Sequence, residues 1–285
     1  MKSIDKKIFL CMGQIIKIRG SQMYLFVYNK YQQREIKKFS YNYFLEVLIM
    51  SRNFIVLDTE AVSAVKHSDN NAHPETSLVY DFGFIVANRE GEIVDRFSFI
   101  NSDVFFQSDL MQSAYYAEKL PQYFEGMGQE WEVANTLTIY RTLANACKTY
   151  NVKDIWAYNV RYDMTALNNT VRTFSNGFRS FFAPYKTNYR DIWDYAGSTI
   201  CNTAKFVKWC DANGFVTPTG NPSTSADTVA KYVSGDLTFN EHHTALSDCE
   251  CELSILLAAL KRKTKARHSK GQGWRDAAKK AKQIR

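Results

Sequence analysis

The sequence predicts an α/β domain built on a mixed, mainly five-stranded sheet flanked by helices. Three observations carry this reading. Phe54-Ile55-Val56-Leu57 is an apolar run, rich in β-branched residues, that reads as a strand buried on both faces. Two more strand-like runs follow it with short connections, giving a meander. From Glu132 onward, helical periodicities alternate with short apolar runs, the pattern of helices packed on a sheet.

Each element has its own signal. After the first strand, Ser63 to Thr76 is polar, with Asn70-Asn71 and Pro74 as loop markers. Leu78 to Val86 and Ile93 to Ile100 are strands joined by a turn at Asn88-Arg89-Glu90-Gly91. Asn101 to Trp131 is irregular and dense in aromatics, with a helix expected over Leu110 to Leu120. Val133, Leu137, Tyr140, Leu143, Ala144 and Cys147 recur at helical spacing, so Glu132 to Tyr150 reads as one amphipathic helix. Lys153 to Tyr158 is the next strand and Asn159 to Asp163 opens a helix. Ile192 to Tyr195 is expected as a fifth strand, and Thr199 to Ala212 as a helix stopped at Asn213-Gly214. Ser225 caps a short helix ended by Gly235. The last helix follows Asp248 and carries Leu253, Leu256, Leu257 and Leu260.

The chain has 285 residues, 45% of them hydrophobic, enough for a sizeable core. Its net charge of +7 is unevenly spread: residues 261–285 carry +10, residues 1–49 carry +6, and the middle carries −9. An acidic core between basic ends suits a cation-dependent site brought to a polyanion. The basic end reads as a solvated segment or a phosphate tether, two roles that are compatible. Six cysteines show no CxxC spacing, so reduced thiols are expected and a cysteine metal clip is not. No apolar run approaches a membrane span. Residues 6–12 have the beginnings of a signal sequence, but Gly13, Gln14 and Lys17 cut it short, and secretion is rejected.

Met1 to Ile49 differs in character, with a small hairpin turning at Gly20 as one reading. The other treats Met50 as the natural start and residues 1–49 as a translated upstream leader. Glu46-Val47 can be encoded by a ribosome-binding sequence, which favours that second reading.

Asp58 and Glu60 lie two apart, on one face if the strand continues through them. Such a pair resists desolvation unless a hard cation sits between the carboxylates; the plainer alternative is a polar loop where the strand stops. Asp163 and Asp248 each begin a helix, and each alone reads as an acid favoured by the helix dipole. His243 alone is an ordinary histidine. As a set, however, the four acids fall where strands end and helices begin, positions that converge on one crevice in an open α/β sheet. Four carboxylates in a crevice repel unless cations neutralise them, the requirement of a two-metal site. His243, five residues before Asp248, is placed to serve as a base near neutral pH.

Leu57-Asp58-Thr59-Glu60, Asn159-Val160-Arg161-Tyr162-Asp163 and His243-Thr244-Ala245-Leu246-Ser247-Asp248 resemble, in order, the three signatures of the DEDDh (DnaQ-like) exonuclease family. The likeness covers residues 50–260. It implies an RNase H-like fold and 3′→5′ hydrolysis of nucleic acid to nucleoside 5′-monophosphates with two Mg²⁺ or Mn²⁺ ions. By the same resemblance Asp58 would bridge both ions, Glu60 and Asp248 would complete one site, Asp163 would hold the second ion, and His243 would deprotonate the attacking water. His242 is the alternative base, but only His243 has the signature's spacing. Ala61-Val62-Ser63 follows Glu60 where many members have Thr-Thr-Gly, which puts substrate preference in doubt. The insert after Glu60 and the aromatic segment 101–131 are similar to bacteriophage-encoded forms found beside replication genes. The implied partner is a nucleic-acid 3′ end, single-stranded DNA first and RNA second, in a bacterial or phage-infected host cytoplasm. A separate polymerase or replication protein is a further implied partner. The rivals are an exoribonuclease resembling RNase T and a catalytically silent module that only binds. Phe105, Phe106, Tyr115 and Tyr116 are candidates to stack on unpaired bases or to pack the insert onto the sheet.

Overall fold

The computed structural model describes residues 8–11, 14–19, 22–29, 32–40, 53–65, 73–262 and 273–285. The chain divides into two compact units, Met1–Arg52 and Asn53–Arg285. The first holds a four-stranded antiparallel meander: β1 (Ile8–Cys11), β2 (Gln14–Arg19), β3 (Gln22–Asn29) and β4 (Gln32–Ser40), in that order. β2 and β3 pair antiparallel across positions 20–21. Gly20 itself, Glu46-Val47, Met50 and Asn70-Asn71 lie outside the described residues.

The second unit is built on β5 (Phe54–Ser63), β6 (Ser77–Ala87), β7 (Ile93–Asn101), β8 (Glu132–Ala134), β9 (Asp154–Ala157) and β10 (Asn188–Asp191). Their order is β10-β9-β5-β6-β7-β8. The meander β5-β6-β7 is antiparallel, whereas β9 and β10 join β5 in parallel and β8 joins β7 in parallel. The sheet is therefore mixed, as expected, but has six strands rather than five.

Two segments depart from the expectation, and the first supplies the sixth strand. β8 was hidden at the front of the expected helix Glu132 to Tyr150, because Val133 falls in step with the helix's apolar positions. In the fold Val133 is exposed, and Asn135 restarts the chain as an N-cap, its side chain accepting from the Thr138 N–H at 2.9 Å. The second correction concerns Ile192 to Tyr195, which is helix. The strand lies one step earlier, and Asp191 ends it by accepting from the Asp194 N–H at 3.2 Å.

The helices are α1 (Ser102–Phe105), α2 (Ser108–Met111), α3 (Leu120–Gly126), α4 (Thr136–Thr149), α5 (Val160–Phe174), α6 (Ile192–Ala196), α7 (Ala204–Asn213), α8 (Ala226–Ser234), α9 (Ala245–Leu260) and α10 (Gly273–Ile284). The single insert helix expected over Leu110 to Leu120 is thus broken into short pieces. The helix expected over Thr199 to Ala212 is likewise split, with a π-turn at Gly197–Cys201 and a new N-cap at Thr203. Gly214 and Gly235 end α7 and α8 in the left-handed region, as their positions predicted.

Alternation along β5 divides the core. Ile55 and Leu57 pack with α4 and α5 on one face. Phe54 and Val56 pack with α6 to α10 on the other. A third cluster, including Tyr80, Phe105, Tyr123 and Trp131, fastens the insert to the far part of the sheet. Phe105 is therefore core, whereas Phe106 and Tyr115 are 55% and 84% exposed. The basic C-terminal segment is not a uniform tail: Ala277, Ala278 and Ala281 of α10 are buried, Ala277 within the α6-to-α9 core. Among the described residues no helix is long and apolar enough to cross a membrane.

Candidate active site

β5 continues to Ser63, so Asp58 and Glu60 are in mid-strand rather than in a loop. Their accessibility comes from a neighbour that stops short. β9 pairs with β5 only at Ile55 and Val56, and the chain leaves β9 at Ala157 to begin α5. One edge of β5 is thereby left open beside its two acids. Asp58 and Glu60 share the Val56 face, toward α9, whereas Thr59 shares the Leu57 face, toward α5.

That division explains how acids from two helices meet. Asp163 comes from the first turn of α5, is 2% exposed, and accepts a 2.9 Å hydrogen bond from the Thr59 hydroxyl. Asp248 comes from the first turn of α9. Its approach depends on Gly83, which pairs with Asp58 across β5–β6. A Cβ on Gly83 would lie 2.4 Å from the Leu246 nitrogen and 2.5 Å from the Ala245 carbonyl carbon. The missing side chain therefore lets the start of α9 lie directly on the sheet beside Asp58. Asp81, fully buried and paired with Glu60, fixes the same helix end: its Oδ2 accepts from the Ala245 N–H at 2.9 Å and from the Tyr123 hydroxyl at 2.7 Å.

His243 sits in the loop before α9 with φ of 52°, an uncommon left-handed conformation for a side-chain-bearing residue. Its N–H donates to Asp248 Oδ1 at 3.2 Å, and its Nδ1 lies 3.9 Å from Asp248 Oδ2. Ligand-capable atoms of Glu60, His243 and Asp248 all lie within 4.8 Å of one another. From the insert, Tyr116 stacks on the imidazole at 4.6 Å and 13°, while the Lys119 ammonium donates to the carbonyls of His242 and, at 3.3 Å, His243. The insert thus reaches the site through Tyr116 rather than through Phe105.

Burial raises the pKa values of all four acids. Asp58 is held well above the usual carboxylate range, by burial first and then by the charges of Glu252, Asp163, Glu60 and Asp248. Burial, then Asp81, pushes Glu60 to about 9. Asp163 rises to about 7 through burial, with the Thr59 hydroxyl opposing. Asp248 reaches about 7 through burial and then Glu241. Lys119 opposes the rise of Glu60 and Asp248 without cancelling it. Oxygen donors in this number, short of positive charge, fit hard divalent cations.

Sequence reasoning missed Glu252. It lies one turn after Asp248 on α9, is 3% exposed, and accepts from the Tyr158 N–H at 3.1 Å, where β9 gives way to α5. Its i, i+4 spacing from Asp248 placed both on one helix face, a signal the apolar leucines around it obscured.

Asp163 and Asp248, carried by the first turns of two helices, thus lie beside Asp58 and Glu60 in the middle of β5. No protein-family model matches this sequence, and no curated protein matches it by sequence. Solved structures do match by shape. The nuclease domain of 3′hExo, a DEDDh family member bound to rAMP, aligns with TM-score 0.51 at 14% identity, covering 77% of this chain and 97% of that one. A full-length 3′-exonuclease aligns with TM-score 0.50 at 15% identity, covering 78% and 89%. E. coli Exonuclease I, bound to a dA16 oligonucleotide, gives TM-score 0.47 at 15% identity over 72% of this chain, which spans only 40% of that protein. In fold, a mixed sheet flanked by helices, this chain is similar to these 3′-exonuclease structures.

Proposed function

We propose that the unit from Asn53 onward is a cation-dependent 3′→5′ exonuclease that releases nucleoside 5′-monophosphates from single-stranded ends, DNA first. The observation that carries this reading is the grouping of Glu60, Asp248 and His243 within 4.8 Å, with Asp58 and Asp163 near enough to act on the same charges, on a fold similar to that of 3′-exonucleases. Asp58, Glu60 and Asp248 would hold one Mg²⁺ or Mn²⁺, and Asp58 with Asp163 a second. Bound there, such ions supply electrostatic stabilisation of the attacking and departing oxygens of an in-line displacement.

The chain's own residues do the rest. His243 accepts the proton of the attacking water as its oxygen bonds to phosphorus and the bond to the neighbouring 3′-oxygen breaks. Burial and the nearby Lys119 hold its pKa below the ordinary value, so the imidazole is neutral and able to accept at pH 7. Tyr116 fixes the ring plane and Asp248 fixes the backbone that carries it. The RNA reading draws support from the rAMP carried by 3′hExo and from a 3′-exonuclease structure recognising a histone mRNA stem-loop.

The test is digestion of 5′-labelled single-stranded DNA, duplex DNA and RNA with Mg²⁺, Mn²⁺ or chelator. Products shortened stepwise from the 3′ end, and silence in chelator, are expected. Asp58→Ala should remove nearly all hydrolysis while the protein keeps its circular dichroism spectrum; substantial activity in that variant would sink the assignment.

A further inference from the structure

A cavity of about 560 Å³ opens where the chain leaves β9, at Tyr158 and Asn159, one helical turn before Asp163. Its size is that of a small-molecule site, roughly 300–1,000 Å³. Three aromatic residues line it: Tyr158, Trp193 from α6, and Trp274 from α10. The rest of the lining is Thr and Ser hydroxyls, the amides of Asn159 and Asn221, and the apolar Pro222 and Ala226, and none of the lining residues is charged.

The polar atoms of two of the rings are already used. Trp193 Nε1 donates to the Thr224 hydroxyl at 2.9 Å and the Tyr158 hydroxyl donates to the Thr224 carbonyl, so the polar atoms of both rings are engaged within the protein. The two rings lie near-parallel, 6.3 Å apart at 26°. Trp274 is 44% exposed, and a guanidinium, Arg275, lies 5.3 Å from its ring centroid. The floor is tied to the acidic crevice, since the Tyr158 N–H donates to Glu252. An uncharged chamber beside a strongly acidic crevice disfavours phosphate and carboxylate groups. Aromatic rings among hydroxyls and amides suit a flat, neutral, hydrogen-bonding ring.

We propose that this cavity takes an unpaired nucleobase of the substrate strand, upstream of the 3′-terminal nucleotide whose phosphodiester lies at the carboxylates. The inference rests on the nuclease reading, and it deepens that reading: such a subsite selects single-stranded ends, because a base stacked on these rings cannot at the same time be paired in a duplex. Stacking of one base on aromatic faces is worth about 1–3 kcal/mol, so losing it should weaken binding by about 5- to 150-fold.

The test walks one abasic position along an oligodeoxythymidylate in chelator, where no strand is cut, and reads dissociation constants by fluorescence anisotropy. The full-length protein should show one internal position at which the abasic site weakens binding by that factor. Trp274→Ala should bind the intact strand that much more weakly and lose its sensitivity at that position. Trp274→Phe, which keeps a ring, should lie between the two and guards against a simple folding defect. A flat abasic profile, or a Trp274→Ala profile that keeps the wild-type sensitivity, overturns the subsite. If the wild-type strand is hydrolysed with metal yet the profile is flat, the subsite fails and the nuclease reading stands. A sharp profile without any hydrolysis sinks the nuclease reading and leaves the base site.

Discussion

His243 shows how a single residue's role is set by its neighbours. His242 and His243 are adjacent in sequence, but only His243 stacks on Tyr116 and bonds through its N–H to Asp248. His243→Ala should slow hydrolysis on the order of 10²–10⁴-fold, the usual worth of a general base, and His242→Ala far less; the reverse ranking in steady-state rates would move the base to His242. The pH dependence follows from the same contacts. Because burial and Lys119 depress the imidazole pKa, the acid limb of the rate, measured at saturating metal, should fall below about pH 6.5. Lys119→Gln removes one of those two causes and should move that limb toward higher pH.

At the scale of elements, the site depends on how closely α9 rests on β6. Gly83→Ala places a methyl against backbone atoms of Ala245 and Leu246, which have no flexible end to swing aside. Such overpacking costs about 1–3 kcal/mol, and it pushes Asp248 away from Asp58. Urea denaturation should record the lost stability, and Mn²⁺ titration should show weakened binding; wild-type behaviour in both would mean that α9 is not held by this contact. α10 gives a second prediction. Its buried alanines and the Arg285 bonds to Asp211 and the Gly220 carbonyl dock it on the core. Removing residues 273–285 should lower stability by about 2–5 kcal/mol, given roughly 0.8 kcal/mol per buried methyl group and the area those methyls cover. An unchanged thermal midpoint would return α10 to the role of a solvated basic tail.

Across the molecule, the acidic crevice makes stability depend on proton and cation together. Its carboxylates have higher pKa values folded than unfolded, so the folded state holds the extra protons. Metal-free protein should therefore be most stable near pH 4. It should lose stability as pH rises through about 6 for Asp81, about 7 for Asp163 and Asp248, and about 9 for Glu60. Millimolar Mg²⁺ or Mn²⁺ should flatten that slope, because a bound cation replaces the protons. Thermal denaturation from pH 5 to 9, with and without metal, reads this directly. A metal-free protein that gains stability across that range would overturn the electrostatic account of the crevice.

Local chemistry was enough to read much of this protein from its residues. The acids of β5, the capping Ser225, the stops at Gly214 and Gly235 and the order of the meander are short-range features, written in spacing and residue type. The pattern Asp58, Glu60, Asp163, His243 and Asp248 was likewise visible, because Asp58 and Glu60 alternate along one strand face and the other three sit at or just before helix starts. What the sequence left open depends on distant partners. β8 and β10 are three and four residues long and exist because β7 and β9 lie alongside them, so no local periodicity announces them. Gly83 is an unremarkable glycine until α9 lies on it, and Glu252 is a helix acid until Tyr158 and the crevice surround it. The aromatic insert divides the same way: Phe105 went to the core and Tyr116 to the imidazole of His243, although both are aromatic residues in one irregular stretch. Sequence fixes which groups are present and their local conformation; long-range packing decides which of them are brought together out of water, and the strength of their interaction follows from that burial.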